Sequence, residues 1–154
     1  MDIVEYAEQE AKANAAFHIS ITDALMRESN TLLNLLLAGA GGSVAYAVNL
    51  TGKAAWQQWG MATTAVYLFI VAAMVLFYCL QTESAWPPAN EPKNFPLSGY
   101  TLNEVREGEL ASRQRCIDRN RLRNEQVGVW LNRCRALAVA APIAFSVGAF
   151  WLGH

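Results

Sequence analysis

The sequence predicts an all-α integral membrane protein with three transmembrane helices, and three observations carry that expectation. Hydrophobic residues make up 53% of the 154, and charged residues only 16%. The charges are unevenly spread, because residues 29–52, 54–82 and 136–154 hold none. A helix needs about 20 apolar residues to cross a hydrocarbon core of roughly 30 Å, and each charge-free stretch is near that length or beyond it. Spans at 31–50, 60–80 and 135–153 follow. A buried soluble core is the competing reading, and three such stretches in so short a chain count against it.

Each element can be taken in chain order. Residues 1–30 are rich in Ala and Glu and contain no Pro or Gly, so they read as an N-terminal helix feeding towards the first span. Ser29 or Asn30 is available as a cap if the chain bends there. Six acids stand against Lys12 and Arg27 in this segment, the opposite of the basic start of a signal peptide. Residues 31–80 form a transmembrane hairpin whose second arm is bulky and is expected to face lipid. Residues 81–100 carry Pro87, Pro88, Pro92 and Pro96 and read as an extended linker. Residues 101–134 form an Arg-rich helix that opens on a capping box, Thr101 with Glu104, and runs into the third span at 135–154. Pro142 removes a hydrogen bond inside that span and should kink it.

Basic residues set the orientation. The connection 51–59 has only Lys53, whereas 81–135 has Lys93 and eight arginines. The expectation is that the N-terminus and 81–135 are cytoplasmic, with the C-terminus outside. Trp56, Trp59, Trp86 and Trp151 lie near span ends, where the amphipathic ring is favoured. Cys79, Cys116 and Cys134 suggest neither a disulfide framework nor a metal site.

The first span, "TLLNLLLAGAGGSVAYAVNL", is the most informative segment. Asn34, Ala38, Gly41 or Gly42, Ala45 and Asn49 recur at spacings of three or four and share one helix face, with Thr31 at its edge. Small and polar residues on a membrane helix allow close backbone approach and give amides a partner. The stripe either packs on the protein's own helices or lines a subunit interface or a wet pore. On the Arg-rich helix, Leu110, Ile117, Asn124 and Leu131 recur every seven residues, a short oligomer seam in which a core asparagine can fix register. Arg115, Arg119 and Arg123 follow at spacing four on another face, and Arg106 and Arg113 share a third. Arginines repeated around a symmetry axis can grip phosphate, which makes all five candidates for a nucleotide or short oligonucleotide. The plainer reading, a solvated or lipid-facing charged surface, carries more weight. His18 and His154 have no carboxylate pair nearby, and "AGAGGS" lacks the Gly-Lys-Ser/Thr of a phosphate loop. No catalytic residue, metal or cofactor is expected, and the chain is not expected to be an enzyme.

An N-terminal helix, a pair of spans and a following cytosolic helix, together residues 2–137, resemble the small transmembrane effectors of bacterial anti-phage defence. These are the two-span SLATT-class effectors and the effector of Hailong-type systems. The third span is an addition to that two-span pattern. The resemblance implies a homo-oligomer in the bacterial inner membrane that depolarises it under control of a nucleotide or oligonucleotide and the enzyme that makes it. By role, the Asn34–Asn49 stripe would be the pore face, and Arg113 to Arg123 would be ligand contacts. The alternatives are a non-conducting membrane scaffold that recruits a partner, or a phage holin.

Overall fold

The computed structural model describes residues 3–52, 55–81, 99 and 101–152. Among them the regular elements are four helices: α1 (Ile3–Asn49), α2 (Ala55–Tyr78), α3 (Leu102–Val139) and α4 (Ala141–Trp151). The protein is all-helical, as its sequence predicts. Helices α1 and α2 are each long and apolar enough to cross a membrane. Helices α3 and α4 qualify as a third span only when taken together, bent by 43° at the break between them. The Pro-rich linker, apart from Gln81 and Gly99, lies outside the described residues, as do Lys53, Gly153 and His154.

Helix α1 runs unbroken for 47 residues, so the expected boundary at 30/31 is not a break and Ser29 and Asn30 cap nothing. The reason is local. No Gly or Pro occurs before Gly39, and hydroxyls that could compete with the helix bond back onto it, Ser20 to the Phe17 carbonyl and Thr31 to that of Arg27. The helix stops where Thr51 and Gly52 turn the chain, with Gly52 at a φ of +78° that a side chain would resist.

The chain forms two compact units. The first takes its described residues from 1–24 and 82–126. Here α1 and α3 run parallel, since Glu8 meets Arg106 and His18 with Thr22 meets Asn124. Helix α3 opens on the expected capping box. The Glu104 carboxylate accepts from the Thr101 backbone N–H at 2.7 Å and from its hydroxyl at 2.8 Å. Those bonds, the backbone one foremost, hold the Glu104 carboxyl below its ordinary range.

The second unit comprises 25–81 and 127–154. Its core joins Leu36 and Ala40 of α1, Leu68, Val71, Ala72, Val75 and Cys79 of the α2 segment, and Leu131 and Cys134 of α3. Helix α2 therefore does not simply face lipid. One side is buried at spacings of three and four, while Val66, Phe69, Ile70 and Phe77 point outward. Tyr78 stacks on Trp130 at 4.1 Å, and the Arg133 guanidinium lies over the same indole. Burying a side chain the size of Leu131 stabilises by about 1.5–3 kcal/mol.

The kink expected from Pro142 is present. Pro142 sits in the first turn of α4 and offers no N–H to the carbonyl of Ala138, so the helix breaks at Ala140. Tyr67 of α2 donates its hydroxyl to the Leu137 carbonyl at 2.8 Å, just before the break. Helix α4 then lies on α2 through two glycines. A Cβ on Gly60 would stand 2.7 Å from the Phe145 ring, and one on Gly148 would stand 2.8 Å from the Trp59 carbonyl oxygen. Small residues at a membrane helix contact permit that approach. Alone, the 11 residues of α4 reach about 16 Å, half of a roughly 30 Å hydrocarbon core.

Candidate functional site

The face of α1 turned into the second unit is built from Leu36, Ala40, Ser43 and Ala47. At 100° per residue, Asn34, Ala38, Gly41, Gly42, Ala45 and Asn49, with Thr31, lie about half a turn from that face. All seven are exposed. Among the described residues, the chain's own helices therefore do not cover the stripe. A Cβ at Gly41 or Gly42 would meet nothing within 4 Å, whereas one at Gly39 would touch Leu68 at 3.2 Å. Neither Asn34 nor Asn49 has a side-chain hydrogen bond among the described residues. The two amides stand about 22 Å apart along the axis.

The seven-residue seam of α3 marks a largely buried face, whose partner at Asn124 is α1 of the same chain and at Leu131 a core of α1 and α2 residues. Ile117 and Asn124 are each 8% exposed, Leu131 is 1% exposed, and Leu110 is half-buried. Asn124 donates its amide to the His18 carbonyl at 3.1 Å and accepts the Thr22 hydroxyl at 3.0 Å. The asparagine thus fixes register between α1 and α3 within one chain, where the sequence suggested an oligomer seam.

The five candidate arginines do not form one patch. Arg106 and Arg113 lie on the side of α3 towards α1, and Arg106 forks onto Glu8, Nε to Oε1 at 2.9 Å and Nη2 to Oε2 at 3.4 Å. Arg106 is thereby paired within the chain, and Arg113 lies half-buried on the same side. Arg115 and Arg119 are exposed on the side of α3 opposite Asn124, and half-exposed Arg123 lies about a quarter turn from it. Arg115 bonds back to the Ala111 carbonyl. These three remain together on one stripe.

Several well-buried groups escaped the sequence reading. Ser29 is fully buried beside Cys79, which in turn neighbours Cys134, and both cysteines are free thiols. His18 Nδ1 is buried without a hydrogen-bond partner among the described residues, and the Ser29 hydroxyl lies buried against the Cys79 thiol. Glu28 accepts from Arg135 at 2.7 Å on the surface of the same unit. Ser29 could have been suspected from its spacing of seven and eleven residues to Leu36 and Ala40, but the pairing of Cys79 with Cys134 carries no local signal. Among the described residues no three His, Cys, Asp or Glu side chains gather to hold a metal.

In class, the molecule is an all-helical protein with two or three helices fit to span a membrane. No family model, curated protein or solved structure matches the chain.

Proposed function

We propose that the chain is one subunit of an oligomeric membrane channel that lowers the membrane potential, gated from the cytoplasm by a nucleotide or short oligonucleotide. What supports this is the uncovered stripe of α1. An amide in hydrocarbon without a hydrogen bond costs about 2–7 kcal/mol, and Asn34 and Asn49 find no partner among the described residues. Glycine and alanine between them let a second backbone come close, and copies arranged around an axis would turn both amides towards each other or towards water. The Arg115, Arg119 and Arg123 stripe would supply guanidinium groups to a phosphate-bearing ligand. The setting, anti-phage defence at the bacterial inner membrane together with a ligand-making enzyme, rests on the resemblance alone.

One observation favours a scaffold as the second reading. Ile3, Tyr6 and Phe17 share one face near the start of α1 and are 85%, 53% and 60% exposed, a surface suited to a soluble partner. Membrane potential separates the two. In bacteria expressing the chain together with its ligand-making system, a channel depolarises the membrane, and Asn34→Leu with Asn49→Leu abolishes this while assembly persists. A scaffold leaves the potential steady and brings down a soluble protein instead.

A further inference from the structure

A groove of about 640 Å³ runs between α1 and α2 in the second unit. Its polarity is graded. Thr51, Gln58 and Trp59 close one end, at the turn joining the two helices, and Gln58 Nε2 donates to Thr51 Oγ1 at 3.3 Å there. The remaining lining is aliphatic or aromatic, and Ala62, Ala65 and Ala73 keep it open along α2. From Gln58 to Ala73 the groove follows α2 for about 22 Å at 1.5 Å per residue. One leaflet of hydrocarbon is about 15 Å deep, so the groove reaches from the interfacial level of Trp59 past the bilayer midplane.

The groove is open along its side, and its length and graded polarity, with a polar end at the interfacial level and an apolar run beyond it, match a single acyl chain joined to an ester. We propose that this groove is a lipid site, holding one acyl tail of a bilayer phospholipid with its ester and headgroup region at Thr51, Gln58 and Trp59. The tail fills the space that the alanines leave, and the polar end meets the hydroxyl, amide and indole that a glycerol ester needs. The site is separate from the Asn34–Asn49 stripe, which lies further round α1, and it holds whether or not the protein conducts.

The test is native mass spectrometry of the full chain purified in mild detergent and supplied with one defined phospholipid, 1-palmitoyl-2-oleoyl phosphatidylglycerol. One retained lipid per chain is expected. Ala62→Phe with Ala73→Phe should lower the retained fraction about tenfold, while Ala62→Ser keeps it and circular dichroism shows helix content unchanged in both. Absence of a retained lipid in the wild type would overturn the proposal, as would equal retention by the filled variant. If the double variant loses helix content, brominated-lipid quenching of Trp59 in a variant whose other tryptophans are phenylalanine decides. Strong quenching by bromines near the ester end supports the site, and quenching no greater than that of outward-facing Trp151, read in a matching variant that keeps only that tryptophan, overturns it.

Discussion

Replacing Asn124 separates a register pin within one chain from a pin between chains. Asn124 is 8% exposed and makes two hydrogen bonds to α1, one to a backbone carbonyl and one from a hydroxyl. A net hydrogen bond contributes about 0.5–1.5 kcal/mol, so Asn124→Ala should cost about 1–3 kcal/mol before any packing loss. The loss is cushioned on one side only, because the single Thr22 hydroxyl proton, shared between Asn124 Oδ1 and the His18 carbonyl at 2.9 Å, can turn wholly to that carbonyl. Asn124→Ala and Thr22→Val should therefore couple, with an interaction of about 0.5–1.5 kcal/mol in a double-mutant cycle. The assay is unfolding of the full chain in mixed micelles, followed by far-ultraviolet circular dichroism, with light scattering reporting subunit number. The expected result is lower stability at unchanged subunit number. A shift in subunit number with intrachain stability unchanged within about 0.5 kcal/mol would refute the intrachain seam.

Other consequences are equally open to measurement. Gly148→Val should force α4 off α2, because its side chain meets Thr63 and the Trp59 backbone; overpacking of this kind costs about 1–3 kcal/mol, read as a lower Tm, and Thr63→Ala should restore only part of it. Arg106→Ala should cost about 1 kcal/mol through its fork with Glu8, whereas Arg115→Ala should leave stability unchanged and affect only ligand response. The Glu104 carboxyl is depressed in the folded chain, so the cap's contribution is present above the ordinary carboxyl value of 4.5 and is lost as pH falls through the lower folded value. Carbon-detected NMR titration of Glu104 should give a midpoint below 4.5, moving partway back in Thr101→Ala because the backbone N–H bond survives.

Much of the helical layout was legible because its signals are local. Charge-free runs, the Thr101–Glu104 box and Pro142 each act within a few residues, and each appears where those residues place it. The continuity of α1 was partly legible too, since residues 2–30 contain no helix breaker, but the change from charged to apolar composition at residue 29 suggested a boundary that the backbone does not make. Partner identity was not legible. The spacing of Ile117, Asn124 and Leu131 shows that one face of α3 is buried, but a period carries no label for the helix that buries it. The arginine stripes posed the same difficulty, since Glu8, the counter-charge that claims Arg106, lies 98 residues away. The contacts of Gly60 with Phe145 and of Gly148 with Thr63 depend on how α4 folds back after Ala140, which no local pattern encodes. For the α1 stripe, the sequence named the face and the structure shows it uncovered by the chain's own helices.

Water access to that face tests the channel most directly. Gly41 has open space at its Cβ position within the chain, so Gly41→Cys disturbs no intrachain contact. In a Cys116→Ser background, Cys79 and Cys134 stay buried and the new thiol reports alone. With the channel open in a planar bilayer, a wet axis predicts that a charged, water-soluble methanethiosulfonate reagent modifies Gly41→Cys and reduces the current, while lipid-facing Phe69→Cys is untouched. Protection of Gly41→Cys equal to that of Phe69→Cys, with current flowing, would contradict a pore along the Asn34–Asn49 stripe.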